Sequence, residues 1–169
     1  ITGVADNSKE LLEVNMLKGT GIQHIKTNLV GSYNLPNVLV AVTVGKYFNV
    51  ADDKIKTALE GYVPSNSRSQ LIEKDGNRII LDAYNANPTS MQAALTNFSQ
   101  IVHPQKAVIL GDMLELGESS AEEHQRIVNL LQTQPPARVF LVGNHFAATS
   151  HPENFKPFPS ADLLAEYLL

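Results

Sequence analysis

The segment LDAYNANPTSMQAAL (81–95) restricts the possible fold more than any other part of the chain. Arg78, Ile79, Ile80 and Leu81 form a short, largely β-branched and apolar run that reads as the end of a buried strand. Asp82, Tyr84, Asn85 and Asn87 then crowd polar groups into the next six positions. Asn87 suits a helix N-cap, and Pro88 the first helical position. Met91, Ala94, Leu95, Phe98 and Val102 follow at helical spacing. Strand, polar tip and helix make the repeating unit of a parallel α/β sheet, whose ligands bind beyond the carboxyl ends of the strands.

The rest of the chain extends this pattern. Leu11 to Val14 and the stretch 21–27 read as strands, and Leu35, Val38, Leu39 and Val42 onward as a helix, followed by a short one at 52–59. GYVPSNSRSQ (61–70) is rich in turn formers and marks a linker, with the boundary near Pro64. Residues 1–63 are thus expected to form one unit, 64–69 a hinge and 70–169 a second domain. Within the latter, 70–73 and 78–81 flank Asp75-Gly76 as a hairpin. Apolar runs at 107–110 and 139–142 read as buried strands, each ending at a glycine. Between them Ser119 and Glu122 stand at capping-box spacing, and a last helix begins near Ser160. Strands alternating with helices predict a parallel sheet covered on both faces.

Several residues invite a chemical reading beside a structural one. In GSYNLPN (31–37), Asn34 and Asn37 can read a purine edge, because amides both donate and accept, and Tyr33 offers a ring for stacking. Asn34 reads more readily as a helix cap and Asn37 as a surface residue. Arg68 is either a solvated charge or a bidentate phosphate ligand. Asp82 is either a ribose ligand or the start of an Asx-turn. Tyr84, Asn85 and Asn87 form loop or site. In GDMLELG (111–117), Asp112 and Glu115 contact a ligand or cap and solvate a loop, and His124 reads as a surface or capping residue. The five histidines have no metal-ligand spacing. The chain contains no Walker A loop, no dinucleotide fingerprint and no nucleophile elbow.

With no cysteine, the chain has neither a disulfide framework nor thiolate chemistry. Its formal net charge of −4 argues against nucleic acid or an anionic membrane surface as partner. A start without a basic segment and apolar core is not a signal peptide, and a cytoplasmic location is expected. Ile1 in place of an initiator Met, and an apolar helical pattern running to Leu169, lead to the expectation that this is a segment of a longer protein.

GSYNLPN, the linker Arg68, DAYNANPTSM and GDMLELG together resemble the Mur ligase family over nearly the whole chain. The resemblance implies an α/β chain, with the tail of an ATPase domain followed by a Rossmann-like carboxy-terminal ligase domain. The implied reaction is ATP-dependent amide ligation through an acyl phosphate. The last two motifs imply the substrates UDP-N-acetylmuramoyl-tripeptide and D-alanyl-D-alanine, from peptidoglycan precursor synthesis. By the same resemblance Asn34 and Asn37 would meet the adenine, with Tyr33 packed on it. Asp82 would hold the ribose and Arg68 the transferring phosphoryl group. Tyr84, Asn85 and Asn87 would face substrate. Tyr33 stands where the family often has His, and Ser67 where Gly is common. The phosphate loop, the Mg²⁺ ligands and a late Lys-Gly-Ser motif are not in this sequence. The chain alone is therefore expected to be inactive and to hold no metal. Two alternatives stay open, a folylpolyglutamate synthase-like ligase and a non-catalytic nucleotide-binding module.

Overall fold

Alternation of buried and exposed positions along Leu11–Lys18 puts Leu12 and Val14 into a core and leaves Asn15 outside. The structure, a computed structural model, describes residues 1–7, 9–133 and 135–169. It divides into two compact units, Ile1–Tyr84 and Asn85–Leu169.

In the first unit, β1 (Thr2–Ala5), β2 (Leu11–Lys18) and β3 (His24–Val30) form an antiparallel sheet in that order. A 3-10 turn, Ser32–Asn34, leads into α1 (Leu35–Tyr47), and α2 (Asp52–Gly61) follows. Val38 and Val42 of α1 and Ile55 of α2 pack on Leu12, Val14, Ile22 and Ile25. The Thr27 hydroxyl is buried in this core and donates to the Leu12 carbonyl at 2.8 Å.

β4 (Gln70–Lys74) and β5 (Asn77–Leu81) pair antiparallel across Asp75 and Gly76, both in the left-handed region at φ 51° and 76°. That is the conformation a two-residue hairpin turn requires, and Asp-Gly supplies it at low strain. The expectation of a hairpin holds, but that of a buried strand in a parallel sheet does not. So short a turn permits only antiparallel pairing, and the pair forms a two-stranded sheet of its own, with Ile79 exposed. The hairpin packs with the first unit. Arg78 reaches Glu10 at 2.7 Å, and the Val30 amide donates to the Ser69 carbonyl. The two compact units divide after Tyr84.

The second unit holds a parallel sheet in the order β6 (Ala107–Gly111), β7 (Arg138–Val142) and β8 (Phe155–Phe158). Around it run α3 (Pro88–Gln100), α4 (Ser120–Thr133), the single-turn α5 (Asn144–Ala147) and α6 (Ala161–Leu168). This is the expected α/β class, with helices flanking a parallel sheet. β7 is central and buries Val139, Phe140 and Leu141. On the edge strand β6 only Val108 and Leu110 are buried. Ile109 is exposed, so the sheet is less completely covered than its sequence pattern implies.

α3 starts as expected. The Asn87 side chain accepts from the Ser90 amide at 2.9 Å, the Ser90 hydroxyl receives the Asn87 amide, and Pro88 follows. It stops at Gln100, short of Val102, which lies outside the helix and fully exposed. Lys106 explains the stop, its ammonium taking three carbonyls of that end, Phe98, Ser99 and Ile101. β1, β8 and α5 were not legible as elements.

Candidate functional site

Gly31 turns the end of β3 at φ 88°, a conformation that suits glycine. The turn throws Tyr33 and Asn34 back toward Ser69 and Asp82, which flank the hairpin. Asn34 stands at the N-cap of α1 but makes no side-chain cap bond. It is buried, and its amide nitrogen donates to the Val30 carbonyl at 2.9 Å and to the Ser69 hydroxyl at 3.1 Å. Its carbonyl oxygen accepts from Asn37 at 3.0 Å. Both donor hydrogens of Asn34 are therefore used inside the protein. Asn37 is the exposed amide. Among the described residues, its carbonyl oxygen and second amide hydrogen have no partner. Of the two amides expected at a purine, Asn37 has the free donor and acceptor, and Asn34 holds it in place.

The Tyr33 hydroxyl lies 2.9 Å from the Ser69 hydroxyl and 3.3 Å from Asp82 Oδ2. The other oxygen, Asp82 Oδ1, accepts from the Ser69 amide at 3.2 Å. A carboxylate offers about four lone-pair sites, so each Asp82 oxygen keeps one for a ligand hydroxyl. Burial pushes the Tyr33 phenol up to about 12, and the Asp82 charge adds to the effect, while the hydrogen bond from Ser69 opposes it.

The direction of that shift fixes a pH dependence. The folded pKa lies above the ordinary value of 10, so the contribution to stability is full below pH 10 and is lost as pH rises to about 12. The phenol is partly solvated, which reduces the effect to about 1 kcal/mol. In a phenolate absorbance titration of the five tyrosines, one is expected to ionise last, and Tyr33→Phe should remove that component. Denaturation should show the wild type losing more stability than Tyr33→Phe between pH 10 and 12. Equal losses would mean that the phenol is solvated.

Arg68 is exposed, with its guanidinium carbon 3.8 Å from the centroid of the Tyr84 ring. Stacking engages the flat face and leaves the N–H edge for an anion. Ser67 and Ser69 on either side are both in the left-handed region, at φ 57° and 49°. The Ser67 carbonyl accepts from the amides of Ala83 and Tyr84. Ser67 thus adopts the backbone that glycine would favour at that position.

In the second unit Asp112 is structural. Its carboxylate accepts from the amides of His145 and Phe146, each at 2.9 Å, and so caps the first turn of α5. His124 is fully buried, not at the surface. Its Nε2 accepts from the Met113 amide at 3.0 Å and its Nδ1 donates to the Ser120 carbonyl at 2.7 Å. That pattern makes it a neutral ring, so the 3.7 Å approach of Asp112 Oδ1 to Nε2 is a contact and not an ion pair. The side chain of Asn87 serves as the α3 cap, and Asn85 is exposed. Among the described residues, no group of three or more His, Asp or Glu side chains could hold a metal ion, and no helix is long and apolar enough to cross a membrane.

Ser69 is the residue that sequence reasoning missed. It sits in a stretch whose composition reads as linker, and no local signal distinguishes it from Ser65 or Ser67.

Residues 67–157 match the family described as Mur ligase, glutamate ligase domain. The UDP-N-acetylmuramoyl-tripeptide--D-alanyl-D-alanine ligase of Bacillus subtilis is 36% identical over 117 residues, which are 68% of this chain and 26% of that protein. The chain thus spans about a quarter of the length of the curated relatives it matches. Among solved structures, MurF of Acinetobacter baumannii superposes with a TM-score of 0.82 at 26% identity, over 98% of this chain and 36% of that one. MurF ligase of Thermotoga maritima in complex with ADP has the same fold, with a TM-score of 0.78 at 19% identity, over 99% of this chain and 38% of that one.

Proposed function

Because this chain belongs to the Mur ligase family, we propose that it supplies the adenosine-binding and phosphoryl-stabilising residues of a complete ATP-dependent amide ligase. The ligase joins D-alanyl-D-alanine to UDP-N-acetylmuramoyl-tripeptide in the cytoplasm. The γ-phosphoryl group of ATP passes to the tripeptide carboxylate and ADP departs. The dipeptide amine then attacks the acyl phosphate carbon, inorganic phosphate leaves with the C–O bond, and the amine loses its proton.

One observation carries this reading. The hydrogen bonds that link Asn37, Asn34, Ser69, Tyr33 and Asp82 set an exposed amide and an exposed carboxylate on one continuous support. Asn37 reads the adenine edge, the Tyr33 ring packs on the base, and Asp82 accepts from ribose hydroxyls. Arg68 meets the negative charge of the moving phosphoryl group. Tyr84, Asn85 and Asn87 are assigned to the peptide substrates by their place in the motif that resembles the family. Mg²⁺ in the complete ligase would neutralise negative charge on the phosphates. Among the described residues, no cluster of His, Asp or Glu side chains forms a site for it. The match beginning at residue 67 supports a domain boundary at 64–69, with 1–63 before it and 70–169 after it, although the hairpin packs with the first unit.

Asp82→Asn tests the adenosine assignment. The amide keeps one oxygen for the Ser69 amide, and its nitrogen can face the Tyr33 hydroxyl, so the fold is expected to survive. It offers fewer acceptor sites to ribose. In the complete ligase the KM for ATP should rise about ten-fold with kcat changed much less. Normal ATP kinetics combined with a lowered unfolding temperature would make Asp82 a turn residue only.

A further inference from the structure

The hydrogen bonds around Ser69 can run in only one direction. A carboxylate accepts and cannot donate, so the single hydrogen of the Tyr33 hydroxyl goes to Asp82 Oδ2. The Ser69 hydroxyl must then donate to the Tyr33 oxygen, 2.9 Å away. It accepts in turn from Asn34 Nδ2 at 3.1 Å, and Asn34 Oδ1 accepts from Asn37. Ser69 is 4% exposed, so no bulk water competes for its hydroxyl. Such a chain polarises along its length, each bond strengthening the next.

We propose that the Ser69 hydroxyl is a positioning group that couples the Asn37 end of the site to the Asp82 end. The inference rests on the adenosine reading above and adds to it a residue that touches no ligand. Asn37 and Asp82 bind base and ribose as one unit, and a break at Ser69 uncouples them.

Glycine is the informative replacement. Ser69 sits at φ 49°, where glycine is at ease, and Ser69→Gly keeps the amide that donates to Asp82. A role confined to loop conformation predicts that Ser69→Gly behaves as wild type or better. The positioning role predicts a loss despite a retained fold. The experiment uses the 169-residue chain and nuclear magnetic resonance, with ADP and 2′,3′-dideoxy-ADP as probes. In Ser69→Gly one Asn34 side-chain amide hydrogen should lose its exchange protection, and ADP should bind about ten-fold more weakly. The preference for ADP over the dideoxy compound should also disappear. Tyr33→Phe cuts the same chain one step later without touching the loop. It should spare the Asn34 amide and lower the ribose preference, and the double variant should bind no worse than Ser69→Gly. Unchanged Asn34 signals in Ser69→Gly, wild-type ADP binding by that variant, or fully additive losses in the double variant would each overturn the proposal. If the wild type shows no ribose preference at all, the adenosine reading fails. The coupling is then judged on the Asn34 amide alone, whose loss of protection supports it and whose retention rejects it.

Discussion

Gly143→Ala is expected to destabilise the second unit by about 3–5 kcal/mol, a large fraction of a typical domain's stability. A β-carbon at position 143 would lie 2.3 Å from the Asp112 carboxyl carbon and from one of its oxygens, inside any real contact distance. The backbone there has φ 115°, which side chains other than glycine's resist at about 1–3 kcal/mol. Asp112 cannot retreat without releasing the amides of His145 and Phe146, and each unsatisfied donor costs about 1–3 kcal/mol. The damage falls on α5, whose Phe146 is wholly buried in the core with Leu141 and Phe155. Amide hydrogen exchange resolved by residue is the measurement. Protection should collapse around Leu141 and Phe155 and persist at Val14 and Ile25, which belong to the other core. Asp112→Ala together with Gly143→Ala should cost less than the sum of the two, because removing the carboxylate removes the clash. Unchanged protection in Gly143→Ala would mean that the α5 turn is not built as described.

Arg68→Ala should produce the largest loss of activity. In the complete ligase kcat is expected to fall about 10²- to 10³-fold, with the KM for ATP moving far less. Charge on the transferred phosphoryl group redistributes as it moves, so a fixed guanidinium helps most at the transition state. The geometry favours a fixed one, stacked 3.8 Å over Tyr84 and held between two left-handed serines. Arg68→Lys should recover little, because an ammonium neither stacks as a plane nor forks onto two oxygens. Stability should be unchanged, since the side chain is exposed. Steady-state kinetics with varied ATP decide the matter, and an effect confined to KM would make Arg68 a ground-state ligand only.

The parts of the chain that could be read in advance are those whose cause is local. Asp75-Gly76 marks its hairpin because those two residues carry the left-handed angles themselves. Asn87, Pro88 and Ser90 satisfy the start of α3 within one turn, and Ser160 does the same for α6. The strands at 107–110 and 139–142 stand out as unbroken apolar runs. β1 is four residues with two of them small, and β8 contains Pro157, tolerated because β8 is an edge strand. Neither carries a signal strong enough to be seen without its partner strand.

The site divides the same way. Residue type and spacing leave Tyr33, Asn34, Asn37, Arg68 and Asp82 open to a structural or a chemical reading, and the resemblance to the Mur ligase family is what brings them forward as candidates. Their division of labour is a tertiary matter. Asn34 bonds to Ser69 across 35 residues, and Tyr33 to Asp82 across 49. Only chain closure brings such groups within hydrogen-bond range. His124 shows the same limit, reading as a surface residue at the start of a helix and becoming a buried neutral ring once the Met113 amide folds over it. What the sequence by itself determined was the α/β class, the caps of α3 and α6, the hairpin turn and the chemical types in the candidate site. Only the tertiary structure decided which polar groups keep exposed donors and acceptors and which are spent holding the others, because that choice depends on donors and acceptors far apart along the chain.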